Sequence, residues 1–125
     1  MWHTGREIDV QVQNLGGKEV WAHQGFRERF DMGDIGDSIG YGHTPEQARS
    51  VVINDAELLL EYIDVAIKAF QDYVGGLSEE DLDEIIDTSW NPPVTRGARL
   101  ISMVSDADQH IGQAAYALGQ LRASA

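Results

Sequence analysis

Towards the end of the chain, Arg99, Met103, Asp106, His110 and Gln113 recur at spacings of four, three, four and three residues. In a helix these five would share one face. The carboxylate of Asp106 and the imidazole of His110, one turn apart, are of the types and at the spacing with which helical motifs hold a divalent metal. The same spacing suits a solvated ion pair, so the pair alone leaves both readings open. His3 would join it if the first helix packs against the last. Two imidazoles and one carboxylate leave coordination positions for water or substrate, as in catalytic zinc and non-haem iron sites. Arg99 could receive an anionic substrate or pair with Asp9, Asp106 or Asp108. Gln113 could orient a metal-bound water, bond His3 or join two helices. Trp90, beside Asn91-Pro92-Pro93, could wall a pocket mouth or pack under the proline turn. His23 and His43 are expected to hydrogen-bond or cap, and Tyr62 and Tyr116 to sit in the core.

Those residues must be positioned by helices. Ile8, Val12 and Leu15 predict a short first helix with one buried face, stopped by Gly16-Gly17. From Lys18 to Tyr41 no period is sustained, and a long irregular loop carrying Trp21, Phe26 and Phe30 is expected to pack on the core. Thr44-Pro45-Glu46-Gln47 reads as a capping box, opening a long core helix that runs from there through Val51, Leu58, Tyr62, Ile63 and Phe70 to Gly75-Gly76. Ser78 begins a second capped helix continuing through Leu82, Ile85 and Ile86. Thr95 caps a last helix from about Arg96 to Leu121. On that helix Leu100, Val104, Ala107, Ile111, Ala114, Leu118 and Leu121 form a stripe expected to be ordinary core. With no convincing strand, the expectation is an all-α helical bundle in a single domain spanning residues 1–125.

Composition narrows the chemistry. The 125 residues carry 21 acidic and 9 basic side chains, a formal net charge of -12, which repels phosphate backbones and argues against nucleic-acid binding. No cysteine is present, so disulfides, iron–sulfur clusters and a cysteine nucleophile are excluded, and any metal must be held by nitrogen and oxygen. Neither a membrane span nor a secretory leader is visible, and a cytoplasmic protein is expected.

Several blocks point further. Trp2-His3 with Arg6 and Asp9, Gly17-Lys18 with Trp21, Gly25-Phe26 with Arg29-Phe30, and Gly42-His43-Thr44-Pro45-Glu46-Gln47 follow in order. Pro92-Pro93-Val94-Thr95, Arg99-Leu100 and His110-Ile111-Gly112-Gln113-Ala114-Ala115-Tyr116 continue them. Over nearly its whole length the chain resembles the DinB/YfiT-like family of metal-dependent helical-bundle proteins. The resemblance implies an up-down bundle with a divalent metal between helices, held by one histidine and by two ligands one turn apart on the last helix. His3, Asp106 and His110 match those positions. Many members have histidine where Asp106 stands, whereas the similar mycothiol-dependent maleylpyruvate isomerases have a carboxylate. The family's first helix has no counterpart before Trp2.

The function that this resemblance implies is that of a metal-dependent enzyme acting on a small molecule, a thiol transferase, isomerase or hydrolase using zinc or nickel. Any thiol would come from a low-molecular-weight cofactor such as mycothiol, bacillithiol or glutathione. The alternatives are a non-catalytic metal- or ligand-binding stress-associated module and an inactive shortened relative. A homodimer is expected, formed through the first helix, the long loop and the helix after Thr44, because the missing helix should leave Val51, Leu58, Tyr62 and Val65 uncovered.

Overall fold

A computed structural model describes all 125 residues. The chain is predominantly helical, an all-α fold with one very small sheet, and divides into two compact units, Met1–Tyr73 and Val74–Ala125. No helix is long and apolar enough to cross a membrane.

The first unit is organised by helix α1, Trp2–Asn14. It buries more than the single face expected: Trp2, Thr4, Gly5, Arg6, Ile8, Asp9 and Val12 are all inside. The stretch expected to be irregular contains three short helices, α2 (Val20–His23), α3 (Phe26–Phe30) and α4 (Asp34–Asp37). Helices of four or five residues span barely one turn, so no apolar period can announce them. Tertiary contacts hold them instead. Trp21, Phe26 and Phe30 pack on Tyr62 with ring centroids 5.2, 5.0 and 5.7 Å away.

This aromatic cluster corrects the expectation of an uncovered face in part, since Val51 and Val65 are only half-buried. Leu58 and Tyr62 are buried, Tyr62 completely, because the loop aromatics occupy the space a neighbouring helix was expected to fill. The long helix is also broken. Thr44 caps α5 (Pro45–Ser50) with the full capping box, but α5 is only six residues long. Residues 51–55 are not helical, and α6 (Ala56–Gly75) restarts where Asp55 Oδ1 accepts the Leu58 N–H at 2.9 Å. The β-branched run Val51-Val52-Ile53 and a fresh side-chain cap together outweigh continuation.

Arg6 and Asp9 tie the unit together. The Arg6 guanidinium donates to Glu19 (2.8 Å) and to the carbonyls of Asp37 (2.9 Å) and Ser38 (3.1 Å). It stacks 4.8 Å over Trp21 and lies 3.4 Å from Asp9. Asp9 accepts the backbone N–H groups of Val20 (2.7 Å) and Trp21 (2.9 Å) and the Tyr62 hydroxyl (2.9 Å), which anchors the start of α2. Burial pushes the Asp9 carboxyl above its ordinary range, partly offset by those three donors and by Arg6. The Tyr62 hydroxyl is raised by burial and by the Asp9 charge, so it stays protonated as a donor.

In the second unit Ser78 caps α7 (Glu79–Asp83) through a second capping box. Ile85 does not continue that helix as expected. Ile85–Asp87 forms strand β1, paired antiparallel with β2 (Val94–Thr95) across the turn holding a cis Asn91–Pro92 bond. Thr95 caps α8, Arg96–Ala123, as expected. A Cβ at Gly97 would lie 3.2 Å from the Leu82 carbonyl, so glycine lets α8 start close against α7. The stripe expected to be core is not. Leu100 is buried, but Val104, Ile111, Leu118 and Leu121 are exposed, as is Tyr116 at 70%.

Candidate metal centre

Each unit presents one histidine and one carboxylate a single helical turn apart. On α1, His3 Nε2 stands 3.5 Å from Glu7 Oε2; on α8, His110 Nε2 stands 3.1 Å from Asp106 Oδ2. The other ring nitrogen is held in both cases. His3 Nδ1 donates to the Ile39 carbonyl, and His110 Nδ1 lies 3.2 Å from Gln113 Oε1. A carbonyl oxygen can only accept, so Nδ1 carries a proton and Nε2 is the nitrogen turned towards the carboxylate. A second proton on Nε2, or a metal ion taken up by both groups, would satisfy such a contact. A ring whose second nitrogen donates to a carbonyl is also the usual setting of a metal-bound histidine.

The strand of chain that holds His3 is itself fixed. Arg6 binds the carbonyls of Asp37 and Ser38 immediately before Ile39. At Gly40, φ is +85°, and a Cβ would lie 3.1 Å from both the His3 and Trp2 rings. Glycine is therefore needed for the turn and for its approach to the histidine. Beside His3 a cleft of about 330 Å³ is lined by Met1, Trp2, Gly40, His43, Ala48, Val51, Ile53 and Leu59. His43 stacks on Trp2 and its Nε2 lies 2.9 Å from Ser38 Oγ, the hydrogen-bonding role expected of it.

Asp106 and His110 thus stand together as expected, with Gln113 hydrogen-bonded to His110. Arg99 pairs with Asp87 on β1 at 3.1 Å in place of the aspartates expected of it. Trp90 is 65% exposed and is not packed under the proline turn. No family model and no curated protein matches the chain. Among solved structures, a conserved protein from Enterococcus faecalis matches with a TM-score of 0.84 and 38% sequence identity, over 93% of this chain and 69% of its own. The chain belongs to the family of that protein. The Enterococcus protein is described only as conserved, so membership of this family conveys a fold, and the chemistry must be argued from the side chains.

Sequence reasoning missed Glu7 as a candidate ligand. Its signal was present, since His3-x-x-x-Glu7 mirrors Asp106-x-x-x-His110. It also missed that Arg6 and Asp9 pair with each other inside the fold, because a charged pair inside a 13-residue helix reads as a solvated face until its burial is known.

Proposed function

We propose that the chain is a divalent-metal-dependent enzyme of the DinB-like type, with His3, Asp106 and His110 sharing one zinc or nickel ion and Glu7 as a further carboxylate beside it. The observation that carries this reading is the matched state of the two histidines. In each, Nδ1–H is tied to an oxygen and Nε2 is directed at a carboxylate one turn away. Two nitrogens and hard carboxylate oxygens suit zinc and nickel. Bound there, the metal would supply a Lewis acid able to lower the pKa of a thiol or water or to polarise a carbonyl.

The chain's own residues do the positioning. Ile39 and Gln113 fix the ring orientations, and the cleft beside His3 admits a small, largely apolar molecule. Without cysteine in the chain, a thiol reaction would draw on a low-molecular-weight thiol of the cytoplasm, where we place the protein.

Cobalt(II) substitution tests the proposal. A visible absorption band is expected that shifts when a small thiol is added, reporting an open coordination position, and that is lost in both His3→Ala and His110→Ala. A band indifferent to thiol would make the site a structural one. A band that survives His3→Ala would remove His3 from the ligand set.

A further inference from the structure

The cleft beside His3 is shaped by the break between α5 and α6. Val51 and Ile53 line it, while Val52 between them is 66% exposed, the alternation of a chain that has left the helix and become extended. Ala48 and Leu59, from the helices on either side of the break, add to the aliphatic lining. Trp2 and His43 form a flat part of the wall, with rings 24° from parallel and centroids 6.3 Å apart. A volume of about 330 Å³ bounded by aliphatic groups and flat rings suits a planar apolar body.

His43 gives this lining a hydrogen-bond acceptor. Ser38 Oγ has a single proton and donates it to the Ile35 carbonyl at 2.7 Å, so it accepts from His43 Nε2 at 2.9 Å. Nε2 therefore carries a proton, and in the neutral imidazole Nδ1 is left as an acceptor. No group of the chain bonds to Nδ1, although the ring is half-buried. Both ring nitrogens of His3, by contrast, are engaged within the chain. We propose that the cleft binds a phenol, its aromatic ring lying against Trp2 and His43 and its hydroxyl donating to His43 Nδ1. Aliphatic alcohols lack the flat face and aryl ethers lack the donor, so ring and hydroxyl are both read. The phenol would be the molecule that enters beside the proposed metal centre, and to that extent its role rests on the proposed function; its binding in the cleft needs no metal.

Binding is therefore measured on metal-free protein with p-cresol, p-methylanisole and p-methylcyclohexanol, in mildly alkaline buffer where imidazoles are neutral. His43→Phe keeps a flat ring beside Trp2 and removes the acceptor. The preference for p-cresol over p-methylanisole should fall about five-fold in that variant, as one neutral hydrogen bond is lost, with the circular dichroism spectrum unchanged. Nitrogen-15 spectra of the histidine rings in the unaltered protein should show the His43 Nδ1 signal moved by p-cresol and not by the ether, a readout that needs no substitution. The saturated alcohol should bind more weakly than p-cresol. Stoichiometric metal uptake without p-cresol binding would overturn the phenol site and leave the metal centre standing, whereas p-cresol binding without metal uptake would support the phenol site alone. No saturable binding of p-cresol, a preference unchanged in His43→Phe, an Nδ1 signal indifferent to p-cresol, or p-methylcyclohexanol bound as tightly would overturn the proposal.

Discussion

Replacing Arg6 by methionine keeps most of the side-chain volume while removing the only cation that faces the buried Asp9 carboxylate. Arg6 is 1% exposed, and its loss strips donors from Glu19 and from the carbonyls of Asp37 and Ser38. Removing one partner of a buried pair costs about 3–5 kcal/mol. That is a large part of the roughly 5–15 kcal/mol by which domains are stable. Urea unfolding followed by tryptophan fluorescence and by circular dichroism measures the deficit. The pH dependence identifies its source. Burial already raises the folded-state pKa of Asp9, and without Arg6 it rises further. A carboxyl raised in the folded state binds its proton there first, so its cost is full above the folded pKa and is relieved as pH falls towards the unfolded value. The Arg6→Met deficit should therefore shrink in mild acid. Because Arg6 also holds the chain entering Ile39, the variant should lose metal affinity by at least about ten-fold. A deficit below about 1 kcal/mol, or one that grows in acid, would rule out an Arg6–Asp9 pair as the tie that holds this unit.

Glu7→Gln should weaken metal binding about 10- to 100-fold while leaving the unfolding midpoint of the metal-free protein unchanged, checked by competition with a chromophoric chelator. Bound metal should be released on acidification, because both imidazoles must be unprotonated to ligate, and retention undiminished at about pH 4 would argue against histidine ligands. Asp81 and Asp87 are held below the usual carboxylate range, Asp81 by Ser78 and Asp87 by Ser89 with Arg99. Their contribution is thus present above the ordinary aspartate pKa and lost as pH falls through the folded values, which proton titration by NMR would show. Gly36→Ala should destabilise by about 1–3 kcal/mol, since its Cβ would lie 3.0 Å from the Trp21 ring and 2.8 Å from Met32 Cβ; thermal unfolding checks this.

Where a local rule decides the structure, the sequence was legible. Thr44, Ser78 and Thr95 each cap a helix as their side chains and neighbours require, and the Asp106–His110 pair follows from helical spacing alone. Where tertiary contacts decide, it was not. The three short helices after Gly17 depend on Asp9 and on the Trp21, Phe26, Phe30 and Tyr62 cluster, both assembled from distant parts of the chain. Ile85 and Ile86 fit a helix as well as a strand, and only pairing with Val94 and Thr95 separates the two. The stripe on α8 has the pattern of core, and pattern alone does not say whether the covering surface lies in the same chain.

The proposed function stands or falls on whether His3, Asp106 and His110 share one ion. Metal content decides it, measured on protein purified without a histidine tag and equilibrated with zinc or nickel, beside His3→Ala and His110→Ala treated alike. One divalent ion per chain is expected, lost in both variants. Stoichiometric metal that persists in either variant, or none in the parent protein, would show that the three residues do not form a common site.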